Sequence, residues 1–119
     1  MPNDCWNEMT VTGASGELAQ FVAHELAGIP DWALTFQRRG IEGIQFRLWS
    51  NDGMPEYDWL EGLLVQYPSF WIKNVWCEEG GKAGVWIGSR AGGVLRFEWD
   101  DLCIEEKAHR FRPLGNEAT

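Results

Sequence analysis

Residues 70–99 read FWIKNVWCEEGGKAGVWIGSRAGGVLRFEW. Three apolar runs, 70–77, 83–88 and 94–99, are separated by Glu79-Gly80-Gly81-Lys82 and by Ala91-Gly92-Gly93. Short runs rich in aromatic and β-branched residues, bounded by glycine-rich turns, read as strands of an antiparallel meander. Side chains alternate along a strand. Phe70, Ile72 and Trp76 therefore share one side of the first run, and Trp71, Val75 and Cys77 the other. In the last run Leu95, Phe97 and Trp99 oppose Val94, Arg96 and Glu98. Gly80-Gly81-Lys82-x-Gly84 joins two strands and lacks the spacing of a phosphate-binding loop, so it is a hairpin turn.

Upstream, residues 7–12 (NEMTVT) alternate as a half-buried strand. Gly13-Ala14-Ser15-Gly16 makes a turn, with Ser15 placed to cap a helix. Leu18, Phe21, Val22, Leu26 and Ile29 recur at helical spacing, and Gly28 and Pro30 end that helix. Residues 32–38 (WALTFQR) and 44–49 (IQFRLW) read as strands, the second with Ile44, Phe46 and Leu48 inward. After the Asn51-Asp52-Gly53 turn, Pro55 suits the start of a second helix with Leu60, Leu63, Leu64 and Tyr67 on its apolar face; Pro68 ends it. The order is β-α-β-β-α-β followed by two more strands. The expected fold is α+β: a ferredoxin-like (βαββαβ) antiparallel sheet, two helices on one face, and a C-terminal β-meander extension. One domain is expected over 1–104, with 105–119 a polar, partly loose tail. No internal repeat or low-complexity segment occurs.

The chain has 119 residues, enough for one domain that needs neither metal nor disulfide to bury a core. Eight Trp and six Phe supply much of that core's area. The formal net charge of −8 argues against loose affinity for nucleic acid or anionic lipid, because phosphates are repelled at long range. It suits a basic protein partner. Cys5, Cys77 and Cys103 are widely spaced with no Cys-x-x-Cys, so they read as reduced thiols and no metal site or cofactor is expected. The first residues have neither the basic nor the apolar region of a signal peptide, and no apolar run reaches about 18 residues. A cytoplasmic, membrane-free protein is the expectation.

Met1-Pro2-Asn3-x-Cys5-x-Asn7-x-Met9-x-Val11-x-Gly13 resembles the opening of the YubB ferredoxin-like domain family of small phage and plasmid proteins. Members typically begin Met-Pro-Asn-Trp-Cys; here Asp4 stands at the Trp position and Trp6 follows two residues later. Tyr67-Pro68 before an aromatic strand, and Gly84-x-Trp86, are similar to the family's second half. The resemblance implies a ferredoxin-like fold without an iron–sulfur cluster and an origin in a mobile element. It supplies no catalytic residue.

Asn3, Cys5 and Asn7 share one parity, and a nucleophilic Cys5 needs a base. The two histidines are His24, on the first helix, and His109, in the tail. The structural alternative is that the asparagines bond backbone at a sheet edge while Cys5 fills core space. Asp52, Glu56 and Asp58 suit a helix N-terminus. Glu98, Asp100 and Asp101 form a second acidic run without the spacing of a calcium loop. Together the two runs suit an array that imitates phosphates for a basic partner. Trp49, Trp71, Trp76 and Trp86 are the candidates for an exposed aromatic face, where tryptophan acts as a binding hot spot. The competing reading has the C-terminal segment, with Leu102 and Ile104, covering that face.

The reading these residues support best is a non-enzymatic protein-binding module from a mobile element, its sharpest form an acidic inhibitor of a host defence system such as CRISPR or restriction. A homodimer through the open face is a further expectation. One alternative is a nucleic-acid-binding accessory protein, which requires Arg47, Lys73 and Arg96 to cluster. The other is a small enzyme using Cys5, which requires a pocket with His or Asp beside it.

Overall fold

The computed structural model describes residues 4–50 and 56–100. Strands β1 (Cys5–Thr12), β2 (Leu34–Arg39), β3 (Gly43–Ser50), β4 (Trp71–Glu78), β5 (Ala83–Ser89) and β6 (Gly93–Trp99) form one sheet in the order β2-β3-β1-β4-β5-β6. Every neighbouring pair is antiparallel. Helix α1 (Ser15–Phe21) runs into a π-helical turn, Val22–Leu26, and α2 is Tyr57–Gln66.

This corrects the expected fold class. Among the described residues the protein is mostly β, a six-stranded antiparallel sheet with only two short helices, and not a two-helix ferredoxin-like βαββαβ domain. The physical reason lies in the hairpin partners of β4. β5 bonds β4 from Trp71 to Cys77 and β6 bonds along the whole of β5, so backbone pairing continues as one sheet. Helices of 7 and 10 residues are too short to cover such a sheet, and every residue of β6 is exposed.

The helices lie over the face carrying Cys5, Asn7, Met9 and Val11 from β1 and Ile72, Asn74 and Trp76 from β4, all buried. Phe21 is the hub of the core. Its ring lies 5.4 Å from Phe70 and 5.9 Å from Tyr67, both edge-on, and 6.1 Å from Phe46. Edge contacts of this kind suit the ring quadrupole. At the π-helical turn Leu26 enters the core, 2% exposed, while Glu25 beside it accepts from Trp59 Nε1 at 3.3 Å.

Several local expectations change. Ser15 is the first helical residue and not the cap; Ala14 precedes it with no side-chain cap of its own. Support comes across the fold: the Ala14 N–H donates to Ser69 Oγ at 2.8 Å, and Ser69 donates through Oγ to Glu17 at 2.6 Å. Trp32 lies before β2 and is 71% exposed. Residues 101–119, including Cys103, Leu102, Ile104 and His109, lie outside the described residues, as do Asn3 and Asp52.

Asn7 does bond backbone, though from a central strand and not an edge. Its Nδ2 donates to the Leu48 carbonyl at 3.1 Å, and its Oδ1 accepts from Asn74 Nδ2 at 3.0 Å. Both asparagines are buried. Asn7→Ala would strand the Leu48 carbonyl and the Asn74 amide inside the protein, so a loss of about 1–3 kcal/mol in urea unfolding is expected. Replacing both asparagines with leucine leaves the Leu48 carbonyl without its donor but removes the stranded Asn74 amide, so it should cost less than the single change; a larger loss for the double variant would sink this account.

Candidate functional site

The face of the sheet away from the helices is built in rows by the pairing register. The first row runs Trp49, Trp6, Cys77, Ala83, Trp99 across β3, β1, β4, β5 and β6. The next is Arg47, Glu8, Val75, Val85, Phe97, and the third Gln45, Thr10, Lys73, Ile87, Leu95. Two halves emerge. Over β3 and β1 the second and third rows are polar, with the Arg47 guanidinium 3.0 Å from the Glu8 carboxylate. Over β5 and β6 they are apolar, and Leu95, Phe97 and Trp99 are 58, 57 and 48% exposed.

The first row alternates size in a useful way. Two small side chains, Cys77 and Ala83, stand between Trp6 and Trp99. An open groove of about 550 Å³ lies there, lined also by Val75, Val85, Glu8 and Arg47. Trp6 is braced from behind: its ring is 5.5 Å from Trp49, which in turn meets Trp32 edge-on at 5.9 Å.

Of the four tryptophans expected at a binding face, the structure puts two there. Trp71 is exposed and Trp49 half-buried on the open face. Trp76 and Trp86 lie in the core, 1 and 0% exposed. Glycine explains the difference. A Cβ on Gly84 would come within 2.7 Å of the Trp76 ring, and one on Gly88 within 2.6 Å of the Trp86 ring. Gly84 and Gly88 flank Trp86 on the inner face of β5, and their missing side chains make room for both indoles. Residues not singled out beforehand, namely Trp6, Val75, Val85, Leu95, Phe97 and Trp99, make up much of the open face. Their alternation was readable; which side was open was not.

The acidic candidates divide. Glu56 and Asp58 are exposed at the start of α2. Glu98 is on the helix side of β6, where its carboxylate accepts from Tyr57 OH at 2.7 Å and Arg96 Nε at 2.8 Å. Asp100 sits 3.7 Å from Lys82 Nζ. Asp52 and Asp101 lie outside the described residues. Glu98 and Asp100 are thus engaged by cations of their own chain, and Glu98 lies on the opposite side of the sheet from the groove.

The Tyr57 and Arg96 bonds hold Glu98 below the usual carboxylate range, while burial and then Glu98 push the Tyr57 hydroxyl up to about 12. Glu98's contribution to stability is therefore present above the ordinary carboxylate pKa of about 4.3 and lost as pH falls through its lower folded value. Tyr57's contribution is present below 10.0 and lost as pH rises toward about 12. In Tyr57→Phe the Glu98 midpoint should move upward in a carboxyl-resolved NMR titration; an unmoved midpoint would show that the contact does not form in solution.

Cys5 is fully buried beside Asn7, its Sγ 4.0 Å from Asn7 Oδ1, and burial pushes its thiol up to about 12. His24 is exposed on the first helical segment. The ionisable side chain directly across from Cys5 is Glu78 on β4, and its charge pushes the thiol further up instead of activating it. Arg47 and Lys73 are on the open face, whereas Arg96 is on the helix side, stacked 3.7 Å over the Tyr57 ring. The basic cluster needed for nucleic acid does not assemble. Among the described residues no group of three or more His, Cys, Asp or Glu is arranged for a metal ion, and no helix is long and apolar enough to cross a membrane. In comparisons with known proteins, no family model, curated protein or solved structure matches the chain.

Proposed function

We propose that this chain is a non-enzymatic protein-binding module that seats a protein partner on the open face of its sheet. The observation that carries this is the groove between Trp6 and Trp99, continuous with the exposed apolar rows of Val75, Val85, Phe97 and Leu95. A contiguous apolar patch with a polar margin is the anatomy of an interface. Tryptophans bounding a pocket are where binding energy concentrates. The net charge of −8 favours a partner with a basic surface, which it would draw in at long range. The likeness of the opening residues to phage and plasmid proteins supports a host protein as that partner, and host-defence antagonism as the biological setting.

The test is retention from host lysate on immobilised protein, with and without nuclease. A dominant protein that survives nuclease, is released by high salt and fails to bind the Val75→Asp variant is expected. Retention of nuclease-sensitive material alone, or retention indifferent to Val75→Asp, would overturn the reading.

A further inference from the structure

The two edges of the sheet are unlike. Strand β2 has the protections natural edges carry: it is 6 residues long, its register shifts between Phe36 and Arg38, and Arg38 and Arg39 crowd its end. Strand β6 has no such shift, and its two charges, Arg96 and Glu98, are paired with each other on the helix side. It pairs with β5 without a register shift over 7 residues, and Val94, Leu95, Phe97 and Trp99 are all at least 43% exposed. Among the described residues its outer backbone faces no strand. An apolar edge without a bulge is a template for another strand.

We propose that β6 is a homodimerisation edge, at which two copies pair their β6 strands antiparallel about a two-fold axis at Phe97. The sequence of the strand selects both the occupant and the register. With the axis at Phe97, Arg96 faces the partner's Glu98, Leu95 faces the partner's Trp99, and Phe97 faces the partner's Phe97. Opposite charges and aromatic or aliphatic groups directly across strands are the pairs that stabilise a sheet. Moving the axis to Arg96 or Glu98 opposes like charges. Moving it to Leu95 leaves Phe97 against the partner's Gly93 and pairs no opposite charges. The strand is complementary to itself in one register. Within one chain Arg96 and Glu98 already touch at 2.8 Å; across the axis two such pairs become an alternating cluster of two cations and two anions. The open apolar rows would then run unbroken from one copy into the other.

The inference does not rest on the proposed function, because Val75→Asp leaves β6 untouched and partner capture is read separately from mass. Light scattering at about 100 µM protein should give twice the chain mass of 13.6 kDa. Arg96→Glu alone and Glu98→Arg alone should each dissociate at least ~30-fold more readily and run as monomers. Each single change also breaks the internal pair, so native circular dichroism is required of both. Mixing the two variants should restore a dimer, now of unlike chains, since each then meets the opposite charge. The double variant R96E/E98R on one chain should dimerise as the wild type does. A monomeric wild type overturns the proposal, and so does a wild type that dimerises only after residues 101–119 are removed, which would assign the edge to that stretch. Single variants that dimerise normally, or a mixture that stays monomeric, overturn it equally.

Discussion

Trp86→Ala is expected to remove about 3–5 kcal/mol of stability, the usual cost of emptying a large buried aromatic site. The indole is 0% exposed, and Gly88, whose absent side chain makes room for it, lies close to Leu64 of α2. Its strand partner is Asn74, from the buried asparagine pair. Truncation therefore opens a gap where the sheet meets the second helix. A domain of this size has about 5–15 kcal/mol in total, so the loss is a substantial share of the whole. Urea unfolding with an unchanged slope would measure it. Trp86→Phe keeps most of the volume and should lose much less, which guards against a variant too unstable to study. Trp71→Ala, on the open face, should lose under about 1 kcal/mol. If Trp71 proves as costly as Trp86, the two faces of the sheet have been assigned the wrong way round.

Val75→Asp is expected to weaken partner capture by at least ~30-fold, a hot-spot loss of about 2 kcal/mol or more, while leaving the fold intact. Val75 lies in the groove lining, 38% exposed, and faces Glu8 across the β1–β4 pairing. A carboxylate there puts charge into an apolar groove and sets it against Glu8, so a partner would have to bury it unpaired. The cost to the free protein is small because the new group still reaches water; a change within about 1 kcal/mol is expected in unfolding. Val75→Ile keeps the surface apolar and should retain the partner. Equal loss in both variants would mean that shape alone, and not desolvation, governs the face. No loss in either would place the partner elsewhere.

These two predictions fall on opposite faces of the same hairpin, and the sequence could not say which residue belonged to which. Period-two alternation places Trp76 with Ile72 and Trp71 with Val75, and the structure keeps those groupings. Both sets are apolar, however, so hydrophobic pattern alone is indifferent to which one meets the helices. The deciding feature was small and negative: Gly84 and Gly88 leave space on one side of β5, and large rings occupy it.

Alternation, helical spacing and glycine turns are local properties of the chain, so most strands and helices were legible by themselves, though the second strand begins at Leu34 and not Trp32 and the first helix becomes a π-helical turn at Val22–Leu26. Leu60, Leu63, Leu64 and Tyr67 are buried as their spacing required. Tertiary structure alone decided the rest: that β5 and β6 continue the sheet, that β1 is central, that Trp6 and Trp99 frame one groove, and that β6 is the outermost strand among the described residues. Those facts depend on pairings between distant residues, such as Trp6 with Cys77, whose register is set by the packing of the whole sheet against its helices.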